Sequence, residues 1–160
     1  IYDFNLTWDF EAYRAQQHDI ASLKQMMERI SNWSKEMEKL RNKSVGILDV
    51  DSRRLKGELN PIREARMMEI KTYIVDIARE RCSQILDHYK ECIAELSNRP
   101  SSLKDYAMYA KSIVKLREDE KKLFKATNTV DQLYNLLQTY EVSVDVADLT
   151  LHEDLHDDIE

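Results

Sequence analysis

Chain breakers are almost absent from this sequence. Two glycines and two prolines stand in 160 residues. These residues punctuate chains, so their scarcity predicts few, long elements. A clustered basic face is missing too, which argues against nucleic acid as a partner. No apolar run is long enough to span a bilayer, so no membrane segment is expected. The opening stretch IYDFNLTWDF has neither a basic region nor an apolar core, and no signal peptide is expected from it. With glycine only at Gly46 and Gly57, no phosphate-cradling loop can be assembled. The two cysteines, Cys82 and Cys92, lie ten residues apart in one predicted helix. That spacing is about 15 Å along a helix axis, too far for a disulfide. Two unpaired thiols suit a reducing, intracellular compartment.

What is abundant is charge. Charged residues make up 34% of the chain, and Lys, Glu, Leu and Arg with few breakers is the profile of long helices. The net charge of −6 is unevenly placed. Residues 141–160 hold eight acids and no Lys or Arg, leaving 22 acids against 24 bases in the rest. The body is nearly neutral and the tail is acidic, as a solvated or partner-facing segment would be.

Apolar residues recur at steps of three and four from about Asp9 to Ser44. Tyr13, Ile20, Leu23, Met27, Ile30, Trp33, Met37 and Leu40 form one stripe, which predicts a long amphipathic helix. Thr7 or Asp9 can cap it, and Gly46 lies just past its end. Ile47, Leu48 and Val50 read as extended or turning. Asp51 or Ser52 can cap a brief helix through Leu59. Asn60 then serves as N-cap and Pro61 as first residue of a second long helix, ending near Ser97. Its stripe runs through Met67, Ile70, Ile74, Ile77, Ala78, Cys82, Ile85, Tyr89, Cys92 and Leu96. Asn98-Arg99-Pro100 breaks the pattern, and Ser102 with Asp105 forms a capping box for a third helix, Leu103 to Tyr140. Tyr109, Leu116, Leu123, Val130 and Leu137 repeat every seven residues there. The companion column, Tyr106, Ile113, Glu120, Thr127 and Tyr134, is broken by polar layers. Val142, Val144 and Val146 alternate with polar residues and read as extended.

The expected fold is therefore all-α: an elongated, spectrin-repeat-like antiparallel bundle of three long helices. Each helix would be about 54 Å long. A short helix stands between the first two, and an irregular acidic segment, 141–160, closes the chain. Residues 1–160 are read as a single bundle segment, a fragment of a much larger chain. Ile74, Ile77, Ile85, Ile113, Leu116, Leu123 and Leu137 are the expected core.

Few residues suggest chemistry. His152-Glu153-Asp154-Leu155-His156 fits H-E-x-x-H, in which two histidines one turn apart bind zinc and the glutamate is general base. A third ligand is expected downstream of such a motif, and only four residues remain there, so the match reads as accidental. His88 and Cys92 are one turn apart, but two ligands do not make a structural metal site. His18 reads as isolated on a polar face. Three sequons begin at Asn5, Asn32 and Asn42, and without a leader they read as chance. Of Met26-Met27 and Met67-Met68, one of each pair sits on a stripe and reads as core filling. Lys121-Lys122 and Arg53-Arg54 have acids nearby and read as solvated. No catalytic, cofactor-binding or metal site is expected.

Val50-Asp51-Ser52-Arg53-Arg54-Leu55-Lys56-Gly57-Glu58-Leu59-Asn60-Pro61-Ile62 is similar to the pattern V-D-T-R-K-L-K-x-E-L-x-P-I of axonemal dynein heavy chains. Arg63 replaces a second proline that usually follows, and Gly57 interrupts the short helix. Ala78-Arg79-Glu80-Arg81 is also family-like. Arg99-Pro100-Ser101-Ser102-Leu103-Lys104-Asp105-Tyr106 resembles the P-T-S-L-x-x-Y helix start, and Leu133-Tyr134-Asn135-Leu136-Leu137-Gln138-Thr139-Tyr140 resembles the feature that follows. The resemblance spans about residues 45–155. It implies the C-terminal part of the stem, just before the linker, built of stacked helical bundles without an ATP site. The implied partners are adjacent bundles of the same heavy chain and other dynein heavy, intermediate or light chains. Direct contact with the microtubule is not implied, and the implied location is the cytoplasm and the ciliary axoneme. A spectrin-like repeat of another cytoskeletal scaffold is the alternative. A secreted four-helix cytokine, suggested by the sequons, and a zinc enzyme are more distant ones.

Overall fold

The computed structural model describes residues 1–46, 48–97 and 100–157. The chain is almost wholly helical. Its elements are α1 (Tyr2–Thr7), α2 (Phe10–Arg14), α3 (Ile20–Lys39), β1 (Lys43–Val45), β2 (Leu48–Val50), α4 (Ser52–Ser97), α5 (Leu103–Thr139) and α6 (Val146–Asp157). Contacts gather into two compact units, residues 1–74 and 75–160, where the sequence alone predicts one bundle segment.

In the first unit the predicted long helix is shorter than its apolar stripe suggests. α3 has 20 residues, and its buried side chains are five of the stripe: Leu23, Met27, Ile30, Trp33 and Met37. Asp9 caps a helix start as expected, but that helix ends at Arg14 and Asp19 caps a second start. The Asp9 carboxylate accepts from Ala12 N–H at 3.1 Å, and that of Asp19 from Ser22 N–H at 2.9 Å. Between them, Tyr73 donates its hydroxyl to the carbonyl of Arg14 at 3.2 Å. A tertiary partner thus takes an oxygen that a continuing helix would use.

The β strands form a two-stranded antiparallel ribbon, with Lys43 opposite Val50 and Val45 opposite Leu48. Gly46 opens the loop at φ 64°, a left-handed conformation suited to tight hairpins. Gly46 is therefore a hairpin residue rather than a helix stop. Ile47 lies outside the described residues.

The short helix predicted between the long ones does not end at Leu59. Helix α4 runs unbroken through Pro61. Asn60 does not cap a restart. Its amide nitrogen donates to Glu64 at 2.9 Å, and its oxygen accepts from Arg63 Nε at 3.1 Å. Proline removes one N–H, leaving the Gly57 carbonyl without its usual donor. The helix start is held from two sides. Asp51 accepts from Arg53 N–H at 2.9 Å, and Asn42 accepts from the Ser52 N–H and hydroxyl at 3.0 and 2.9 Å.

In the second unit α5 begins as expected: Ser102 Oγ accepts from Asp105 N–H at 3.1 Å. Asn98 and Arg99, where the break is predicted, lie outside the described residues. The remainder of α4 and α5 run antiparallel. Tyr109 donates to the carbonyl of Leu96 near the connection (3.1 Å), while Cys82, Ile85 and Leu86 share a core with Val130 farther along. The heptad column is buried only toward its C-terminal half: Val130 and Leu137 are buried, and Leu116 and Leu123 are half-buried. Of the predicted core, Ile74, Ile85 and Leu137 are buried, whereas Ile77 and Ile113 are half-buried. In the polar column Glu120 is exposed, and Thr127 is buried with its hydroxyl donating to the Leu123 carbonyl at 3.1 Å.

The acidic tail departs most from expectation. Residues 146–157 are helix α6, not an irregular segment. The alternation of Val142, Val144 and Val146 concealed it, because the apolar residues that matter come later. Leu155 is fully buried in the cluster with Cys82, Ile85, Leu86 and Val130, and Leu151 packs on it. The connection into α6 is a tight helix stop. Glu141 takes φ 49°, its N–H reaching the Gln138 carbonyl and that of Val142 the Leu137 carbonyl. Those two bonds are the Schellman pattern, with glutamate where glycine is commonest.

Candidate functional site

Helix α6 carries His152 and His156 one turn apart, so both rings stand on one face. That face meets α5 at Asp131. His152 Nε2 lies 2.8 Å and His156 Nε2 3.0 Å from the same oxygen, Asp131 Oδ1. One ligand atom from each of the three residues lies within 4.8 Å of the others. Both histidines of the H-E-x-x-H match thus meet an aspartate that lies 21 residues upstream of His152, on another helix. Only the pairing of α5 with α6 brings it there, and no spacing rule points to it.

The surroundings fix these rings. Tyr134, also on α5, stacks on His152 with ring centroids 4.1 Å apart and planes tilted by 22°. His156 stands edge-on to His152 at 4.9 Å. The Tyr134 hydroxyl donates to the Asp148 carbonyl at 2.9 Å. The Asp148 carboxylate is clasped by Arg79, at 2.6 Å from Nε and 2.7 Å from Nη2. Its side chain is only 6% exposed, while that of Arg79 is 50% exposed. The Arg79 hydrogen bonds hold the Asp148 carboxyl below the usual range, against the opposing effect of burial. Burial pushes the Tyr134 phenol up to about 12, so it remains a donor. It also pushes the Cys82 thiol up to about 11, and that S–H donates to the Leu151 carbonyl at 3.2 Å. Beside the histidines lies a groove of about 430 Å³ whose lining includes Asp131, Tyr134, Leu137, Val142, Val144 and His152.

The other sequence candidates fall elsewhere. His88 lies 3.9 Å from Glu91 on its own helix, and no third ligand joins it and Cys92 among the described residues. His18 is not isolated on a polar face. It stacks on Tyr13 with centroids 3.9 Å apart and meets the Tyr13 carbonyl at 2.7 Å. Asn5 accepts from Arg66 at 3.2 Å and Asn42 serves the start of α4, so both sequon amides have structural work. Trp33, beside Asn32, is buried. Met27 is buried and Met67 half-buried. Lys122 pairs with Asp119, Arg53 with Asp51 and Arg54 with Glu58, all at the surface.

Among the described residues, no helix is long and apolar enough to cross a membrane. No protein-family model matches the chain, and no curated protein matches it closely enough to count as a relative.

Proposed function

We propose that this chain is a non-catalytic, load-bearing helical segment from the stem of an axonemal dynein heavy chain. The observation that carries the reading is α4. From Ser52 onward, the stretch resembling V-D-T-R-K-L-K-x-E-L-x-P-I forms the opening of one unbroken 46-residue helix, followed by the 37-residue α5. Continuous packed helices resist bending, as a spacer between a docking region and a motor must. The family assignment rests on the residues themselves: their motifs, order and spacing. In this reading the three long helices of the stem segment are completed into an elongated bundle within the parent chain. ATP hydrolysis belongs to another part of that chain, and the location is the ciliary axoneme.

Its partners are neighbouring bundles of the same heavy chain and other dynein subunits, with no role for nucleic acid or membrane. Apolar side chains support this view: Ile93, Leu96, Leu103, Tyr106 and Met108 are exposed around the α4–α5 connection, Leu103 at 89%. A chain lacking neighbours there would expose a costly patch.

The test is made on the native parent. An antibody against this segment captures it from ciliated cells, and its size and microtubule release are measured. A very large chain that leaves microtubules on addition of ATP is expected. A small chain, or one indifferent to ATP, rejects the dynein stem and leaves a spectrin-like repeat of another scaffold.

A further inference from the structure

We propose that Asp131, His152 and His156 form a structural site for one divalent transition-metal ion, zinc by preference, that fastens α6 to α5. The proposal stands independently of the stem reading.

The donor set suits zinc: two imidazole nitrogens and one carboxylate oxygen are a recurrent combination for this metal, with a fourth position left for water. Hard cations such as Ca²⁺ and Mg²⁺ prefer all-oxygen sites, so the imidazoles select against them. The geometry is close to what binding needs. Tetrahedral zinc with bonds of about 2.0–2.1 Å places its ligand atoms about 3.3 Å apart. Two of the three separations, from His152 Nε2 and His156 Nε2 to Asp131 Oδ1, are 2.8 and 3.0 Å, and all three atoms lie within 4.8 Å of one another, so the two rings must draw together to close the set. With an ion bound, each neutral ring would carry its proton on Nδ1, leaving both Nε2 atoms to bind the metal.

The site is also held and reachable. His152 is fixed by the Tyr134 ring, Tyr134 by its bond to the Asp148 carbonyl, and Asp148 by Arg79. A ring already ordered by stacking loses less freedom when it binds a metal. The side chain of His156 is 50% exposed and that of Asp131 30%, so an ion can enter from solvent and His156 can rotate to complete the set. The rival account is that the three groups form only a hydrogen-bonded clasp between helices, and it makes opposite predictions.

The 160-residue chain is stripped with chelator, equilibrated with Zn²⁺ alone, and its bound zinc and thermal midpoint are measured. The expected result is one zinc per chain and a midpoint raised by several degrees. Co²⁺ in its place should give the visible absorption of a low-coordinate imidazole site. His156→Ala and Asp131→Asn should weaken binding by about tenfold or more, the scale on which even outer-shell partners of metal sites matter. His88→Ala should leave it unchanged. If Asp131→Asn fails to fold, His156→Ala decides alone, since its ring is half exposed. Absence of stoichiometric zinc at micromolar metal overturns the site in favour of the hydrogen-bonded clasp. Equal binding by the wild type and His156→Ala overturns it as adventitious.

Discussion

The two units solve the problem of anchoring short helices in different ways. In the first, residues 1–74, short helices are held by aromatic rings. Phe4 stacks on Trp8 at 4.8 Å and stands edge-on to Trp33 at 5.0 Å, with the Arg29 guanidinium 4.9 Å from the Phe4 centroid. Trp8 donates its ring N–H to Glu69 at 2.9 Å, and Glu69 is held by Arg66 at 2.6 Å. In the second, residues 75–160, helix α6 is held by one buried leucine, by the Arg79–Asp148 ion pair at one end and by the hydrogen-bonded Asp131–histidine cluster toward the other. Ring stacking depends little on pH, whereas the Asp148 carboxyl, held below its usual range by Arg79, makes its anchor sensitive to acid. A 12-residue helix is marginal alone, so each unit needs its tertiary clasp, and the chemistry of the clasp sets the conditions under which it fails.

The largest effect should come from Val130→Asp. It would place an unpaired carboxylate in the core of the second unit, at a cost of several kcal/mol. Leu116→Asp, on the same heptad column but half-buried, should cost clearly less. Circular dichroism melts of the two variants rank them, and equal melts would refute the graded burial of that column.

Next is Leu155→Ala, expected to cost about 2–5 kcal/mol by emptying a fully buried site. Amide exchange should accelerate through α6. Both tryptophans, Trp8 and Trp33, belong to the first unit, so their fluorescence should report little local change in the same variant. A large fluorescence change would show that the first unit responds to the loss of Leu155 as strongly as the second.

A pH titration sharpens the contrast further. Asp148 has a folded value below its ordinary 3.8, so its contribution is present above that value and is lost as pH falls through the folded one. Asp148→Asn should therefore be less stable than the wild type at neutral pH and lose less stability on acidification. Parallel acid limbs for the two proteins would show that Arg79 does not hold the carboxyl as described.

The smallest effect is a gain. Gly57 has an ordinary helical backbone and open space where a Cβ would stand. Gly57→Ala should stabilise α4 by about 0.5–1 kcal/mol, read as a small rise in the thermal midpoint.

Local information made much of this legible. The stripe of α3, the start of α5 at Ser102, and the burial of Ile74, Ile85 and Leu137 follow from helical spacing and capping chemistry, which act over three or four residues. Asn60-Pro61 reads as a restart, yet the helix passes through it, with Asn60 bonded to Arg63 and Glu64 inside the helix instead of capping one. Elsewhere a distant partner overruled the local signal. The stripe from Tyr13 to Ile20 reads as continuous, yet Tyr73 and Asp19 divide it.

By itself, then, the sequence determined a helical chain, the faces its helices bury and the pair of histidines one turn apart, because periodicity and capping are properties of neighbouring residues. Only the tertiary structure decided that the acidic tail is a docked helix, that Arg79 closes on Asp148 across 69 positions, and that Asp131 meets both histidines. Those contacts join residues far apart in the chain. They exist because burying Leu155 brings α6 against α4 and α5, and no local pattern records which surfaces that burial will press together.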